Sequence, residues 1–190
     1  MKGFKVPVGI SNKHLHVCQE DLDILFGKDY DLTKMKDLKQ LGQFACEEKV
    51  DIVGPRGTLK GIRILGPVRP ETQVEISVGD ARTLGVGAFV RDSGDLDGSP
   101  GVKLVGPKGE VELKKGVIVA ARHIHMDTKD AAQGGFKDKD IVDIKIEGKR
   151  GLILNNVLIR VSDSYALEFH LDVEEANAAQ VANDDELEVM

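Results

Sequence analysis

Ser11-Asn12-Lys13-His14-Leu15-His16-Val17, followed by Asp21-Leu22, returns in the second half of the chain as Ala120-Ala121-Arg122-His123-Ile124-His125-Met126, followed by Asp130-Ala131. Each copy begins after a Val/Ile run and sets a basic residue directly before its first histidine. Farther along, Gln73-Val74-Glu75-Ile76-Ser77 lines up with Glu168-Phe169-His170-Leu171-Asp172, both alternating polar and apolar. Residues i and i+2 of a strand share a face, so this alternation marks half-buried strands. The chain reads as a repeat of β structure, one half per copy.

Working outward, strand-like segments recur at Val6 to Ile10, Val50 to Val53, Leu59 to Leu65, Gln73 to Val78, Val102 to Val105, Val117 to Ala121, Ile141 to Ile146, Leu152 to Val161 and Ala166 to Leu171. Many are divided by turn signals, among them the Gly-Pro pairs at 54, 66 and 106. Helices are short: Gln19 to Leu25, Thr128 to Gln133, and Val173 to Ala182, the last opened by a capping box of Asp172 and Glu175. Short strands with sparse helices predict a mainly β fold of small barrels rather than a doubly wound sheet. With no Trp, two Tyr and six Phe, the core must be built from Val, Ile and Leu, which favour strands. The 21 glycines suit many tight turns.

The formal net charge of −6 argues against non-specific nucleic-acid binding, which needs many phosphates neutralised. It leaves room for a small anionic substrate in a locally basic pocket. Two cysteines, Cys18 and Cys46, are too few for a disulfide framework and fit a reducing compartment. No apolar run reaches the length of a membrane span, and the opening residues lack the pattern of a signal peptide, so the expectation is a cytoplasmic protein without membrane association.

All five histidines fall within the repeated pattern. On a strand His14 and His16 share a face, as do His123 and His125. One His-x-His is ordinarily a solvated surface pair; two at matched positions point to metal. Imidazole suits zinc, cobalt, nickel or iron. A catalytic zinc takes three protein ligands, so each pair lacks one, and the aligned Glu75 and His170 supply candidates. Cys18 and Asp127 compete as third ligands if the strand runs on; a turn into a helix would carry them away. Cys46 reads as core packing. A purely structural metal is the bland alternative.

Guanidinium groups bind phosphate in a bidentate manner. Arg63, Arg69, Arg91 and Arg122 lie near strand ends or proposed ligands, and Arg69 and Arg122 are the strongest candidates. No Walker, dinucleotide-binding or Gly-x-Ser-x-Gly motif is present. Phosphate binding would therefore rest on arginine, metal and turn amides.

Six segments in this order resemble the PduL-type phosphotransacylases, the phosphate propanoyltransferase family. They are 8–16 (VGISNKHLH), 42–48 (GQFACEE), 72–77 (TQVEIS), 91–101 (RDSGDLDGSPG), 121–126 (ARHIHM) and 168–172 (EFHLD). The resemblance implies a zinc enzyme that interconverts short-chain acyl-CoA (propanoyl-CoA or acetyl-CoA) plus phosphate with acyl phosphate plus coenzyme A. It implies two small intertwined β-barrels, with halves 1–95 and 96–190, exchanged strands and a homodimeric assembly. Two zinc ions per chain are implied, one on His14, His16 and Glu75 and one on His123, His125 and His170. Arg69 and Arg122 match family positions near the phosphate and are assigned catalytic and substrate-binding roles; Ser11 and Arg63 match further pocket positions. Lys13 stands where arginine is common, and Leu41 replaces a frequent proline. Some family members serve propanediol degradation inside bacterial microcompartments, where the shell or pathway enzymes would be partners; a free cytoplasmic enzyme is the rival setting.

The expected chemistry is direct attack of phosphate, held by the zinc pair, Arg69 and Arg122, on the thioester carbonyl, with no acyl-enzyme. A zinc hydrolase using the same ligands and a metal-binding storage module are the rivals.

Overall fold

The structure, a computed structural model, describes residues 3–190. The chain divides into two compact units. One runs from Lys13 to Ala120; the other joins the stretch up to Asn12 with Ala121–Met190.

The second of these is a closed barrel of β1 (Lys5–Ser11), β11 (His123–Met126), β12 (Ile141–Ile146), β13 (Leu152–Val161), β14 (Glu168–Asp172) and β15 (Glu186–Val189). Its order is β1-β14-β11-β13-β12-β15, and β15 pairs antiparallel with β1 to close it. Val6, Ile124, Met126, Ile144, Ile159 and Phe169 fill the interior, each worth about 1.5–3 kcal/mol when fully buried. Two helices accompany the barrel: α3 (Thr128–Gly134), capped by Asp127, and α4 (Val173–Ala179). The capping box of α4 forms as the sequence predicts, with the Asp172 side chain accepting from Glu175 N and the Glu175 side chain accepting from Asp172 N. The helix stops at Gln180, which takes a left-handed φ of 58°, short of the expected Ala182.

The unit Lys13–Ala120 holds β2 (His14–His16), α1 (Gln19–Phe26), β3 (Lys34–Asp37), β4 (Phe44–Val53), β5 (Thr58–Gly66), β6 (Gln73–Glu75), α2 (Val78–Leu84), β7 (Val90–Arg91), β8 (Lys103–Val105), β9 (Glu110–Glu112) and β10 (Val117–Ala120). The sheet runs β7-β10-β6-β2-β5-β4-β8-β9, with β3 on β4. Its end strands do not pair, so it is an open, curled half-barrel. The expectation of two closed barrels is corrected here: one sheet closes and the other does not. Closure requires the edge strands to meet in register, and β7 and β9, with two and three residues, are both short edges. Leu15, Ile52, Ile64, Val74 and Leu104 form this unit's core.

Two strand boundaries differ most from the sequence reading. Strand β6 ends at Glu75, because Ser77 caps α2 and exchanges capping-box bonds with Asp80; the predicted strand to Val78 overran that signal. Strand β4 starts at Phe44 rather than Val50. Its apolar alternation is broken by a buried Glu48, satisfied by Tyr30 Oη at 2.9 Å and Thr33 N at 3.0 Å. No helix of the described residues is long and apolar enough to cross a membrane.

Candidate metal centres

Each His-x-His pair sits on a short strand facing an antiparallel neighbour. In the half-barrel β2 pairs with β6, setting His14 opposite Glu75, Leu15 opposite Val74 and His16 opposite Gln73. In the barrel β11 pairs with β14, setting His123 opposite His170, Ile124 opposite Phe169 and His125 opposite Glu168. The pleat sends the central apolar pair of each patch into the core. The four polar side chains are thereby left on the other face as the corners of a square.

Three corners of each square converge. The donor atoms of His14, His16 and Glu75 lie within 4.8 Å of one another, and so do those of His123, His125 and His170. These are the two groups expected from the repeat. Cys18 and Asp127 belong to neither, because the chain turns into a helix at both places. Cys18 is the N-cap residue of α1 and Asp127 caps α3. Cys46 is fully buried, and burial pushes its thiol up to about 11, as a core residue requires.

The histidines are prepared to give lone pairs. His16 Nδ1 lies 3.0 Å from Leu65 O. A carbonyl only accepts, so Nδ1 carries the proton and Nε2 is left as the donor to a metal. His123 Nδ1 is fixed in the same way, 2.8 Å from Ala121 O. Burial, with His14 and Arg69 nearby, holds the His16 pKa down at about 3. Burial, with His123, His170 and Arg160 nearby, holds that of His125 at about 2. Both rings are neutral at any physiological pH. His125 is wedged at 4.1 Å from the Tyr165 ring, and both its nitrogens are buried without a hydrogen-bond partner. An unsatisfied buried polar atom costs about 1–3 kcal/mol, and a metal ion on one nitrogen removes that cost. The residues fit a borderline divalent cation.

Glu75 is held from behind. Its Oε1 accepts from Gln73 Nε2 at 2.5 Å and from Ser93 Oγ at 3.2 Å. Its Oε2 lies 3.5 Å from His14 Nε2. Ser93 Oγ also accepts from Arg69 Nη1 at 3.3 Å, and Gly94 N donates to Gln73 Oε1 at 2.7 Å. The turn at Ser93 and Gly94 thus ties Arg69 to Glu75. In the barrel, His170 Nε2 lies 3.0 Å from Glu168 Oε2.

Arg122 Nε pairs with Glu175 Oε1 at 2.8 Å, and its Nη1 donates to Asn155 O at 3.1 Å. Burial raises the Glu175 pKa, while Arg122 and the Asp172 amide oppose that rise. Lys13, at the matching repeat position, pairs with Asp80 Oδ1 at 2.7 Å. Both carboxylates are the third residues of capping boxes. Arg63 donates Nη1 to Cys46 O, and Ser11 lies opposite Asp172 on β1. Neither of these partners is a histidine of the two clusters, and a substrate-binding role for Arg63 and Ser11 follows only from the family resemblance. Sequence reasoning passed over Ser93, Gln73, Glu168 and Arg160, which lies opposite His125 on β13. For Gln73 and Glu168 a signal existed, since the repeat alignment already matched them.

A sequence model of the phosphate propanoyltransferase family matches residues 7–182. The chain belongs to this family. A phosphate propanoyltransferase of Thermotoga maritima is 56% identical over 179 residues, covering 94% of this chain and 85% of the relative. One from Rhodopseudomonas palustris is 50% identical over 182 residues, covering 96% and 80%. One from Salmonella typhimurium is 50% identical over 184 residues, covering 96% and 87%. The match to the phosphate propanoyltransferases spans both three-donor groups, from His14 to His170.

Proposed function

We propose that the chain is a zinc-dependent phosphate acyltransferase that interconverts propanoyl-CoA or acetyl-CoA plus phosphate with the acyl phosphate plus coenzyme A. The observation that carries the zinc requirement is the orphaned His125 ring beside two three-donor groups; the family match carries the reaction. His14, His16 and Glu75 would hold one ion, and His123, His125 and His170 the other. When bound, zinc supplies Lewis-acid polarisation of the thioester carbonyl and a soft partner for the leaving sulfur.

The chain's own residues do the rest. Arg69, held by Ser93 in the half-barrel unit, and Arg122, held by Glu175 and Asn155 O in the barrel unit, are each a guanidinium suited to neutralise and orient phosphate. A phosphate oxygen bonds to the carbonyl carbon, the carbon–sulfur bond breaks, and coenzyme A departs as thiolate. The buried, neutral His16 and His125 are poor proton donors, which suits a leaving group that needs none. On the family likeness alone we extend the reading to a homodimer, either free in the cytoplasm or housed in a bacterial microcompartment.

A coupled assay tests this. Acyl phosphate and coenzyme A together should yield acyl-CoA and phosphate, and phosphate should be released only when coenzyme A is present. Release without coenzyme A would identify a hydrolase, and tight zinc retention with no turnover of any thioester would identify a storage module.

A further inference from the structure

The fourth corner of each square has no role in the three-ligand reading, yet the two corners are chemically complementary to their neighbours. In the half-barrel the third ligand is an acid, Glu75, and the corner residue two places before it is an amide donor, Gln73. In the barrel the third ligand is an imidazole, His170, and the corner residue two places before it is an acceptor, Glu168. The repeat has changed the ligand and its support together. Both supports are deeply buried, Gln73 at 2% and Glu168 at 8% exposure, where an unmatched amide or carboxylate would be costly. Glu168 also lies directly over Gly9, where a Cβ would stand 2.5 Å from its Cδ. The barrel leaves room for this carboxylate by having no side chain on β1 at that point.

We infer that Gln73 and Glu168 are matched positioning residues, each orienting the third metal ligand of its own centre. Gln73, helped by Ser93, occupies Glu75 Oε1 and leaves Oε2 toward His14. Glu168 Oε2, 3.0 Å from His170 Nε2, holds the imidazole ring of the other third ligand in place. Partners of this kind set the tautomer and raise the basicity of a ligand. The inference rests on the zinc reading above and assigns residues that reading leaves idle.

Chelator competition for zinc on the full chain tests it, since two centres give two resolvable affinities. Glu168→Ala should weaken one phase ~10- to 100-fold and leave the other in place. Gln73→Ala should shift the opposite phase. Glu168→Gln keeps an acceptor oxygen and should restore most of the lost affinity, which a defect of packing would not allow. The melting temperature of the metal-free variants is read alongside. Wild-type affinity at both centres in the alanine variants, or equal weakening of both phases by either one, overturns the inference. A wild-type chain that binds no zinc overturns the metal reading and this inference with it, so the two failures are told apart.

Discussion

Replacing Glu75 by Gln removes one charge and no volume, and the structure says where the new amide must turn. Two donors, Gln73 Nε2 and Ser93 Oγ, already face the Oε1 position. The amide carbonyl is therefore drawn to them, and the NH2 group is left pointing at His14, 3.5 Å away. A donor group at that place cannot ligate a cation. The centre drops from three protein ligands to two. Structural zinc sites in small peptides bind with about 10–16 kcal/mol from four ligands, so one ligand is worth ~3 kcal/mol, on the order of a hundred-fold in affinity. Metal analysis after extensive dialysis should fall from two zinc ions per chain to one, and His170→Ala should empty the other centre instead. A parallel assay of coenzyme A release should show turnover lost with the metal. Two retained ions and full activity in the Glu75→Gln chain would refute both the ligand assignment and the repeat logic behind it.

Gly9→Ala places a methyl group 2.5 Å from Glu168 Cδ, so that side chain must shift; a shift away from His170 should weaken zinc at the barrel centre by ~10-fold. Unchanged zinc affinity would show that Glu168 moves without consequence. Acid should destabilise the metal-free protein. His16 and His125 sit below the ordinary value of 6.5, so the unfolded chain binds protons that the folded chain refuses. The stability they hold is complete above about pH 6.5 and declines as pH falls toward their folded values, with a slope approaching ~1.4 kcal/mol per pH unit for each histidine. Denaturant midpoints of chelator-treated protein at pH 7.5 and 5.0 measure it, and equal midpoints would contradict the burial argument.

The centres were more legible than the fold. Strand alternation around Leu15 and Ile124 put each histidine pair on one face, and the repeat nominated Glu75 and His170 without any knowledge of pairing. The structure sets both directly opposite the first histidine of their pair. Barrel closure was not legible, because alternation tells which face of a strand is buried and not which edges meet. Strand β3, Lys34-Met35-Lys36-Asp37, is exposed along its length and has no apolar face to betray it. Helix α2 was hidden because Val74, Ile76 and Val78 continue a strand pattern across the Ser77 cap. The supports behind the ligands were missed for a different reason. Gln73 and Glu168 look like solvated strand residues until their burial is known.

The seam of the closed barrel joins strands from opposite ends of the sequence, with Lys5, Val6 and Pro7 facing Glu188, Leu187 and Glu186. A ribosome delivers the chain in the other order of need. Lys13–Ala120 emerges as one continuous stretch with every strand of the half-barrel in hand, whereas β1 must wait until β14 and β15 have been made. Pairing at such separation is slow, and an unpaired strand edge invites foreign partners meanwhile. Synthesis thus leaves β1 open to foreign pairing from the moment it is made until β14 and β15 have followed it.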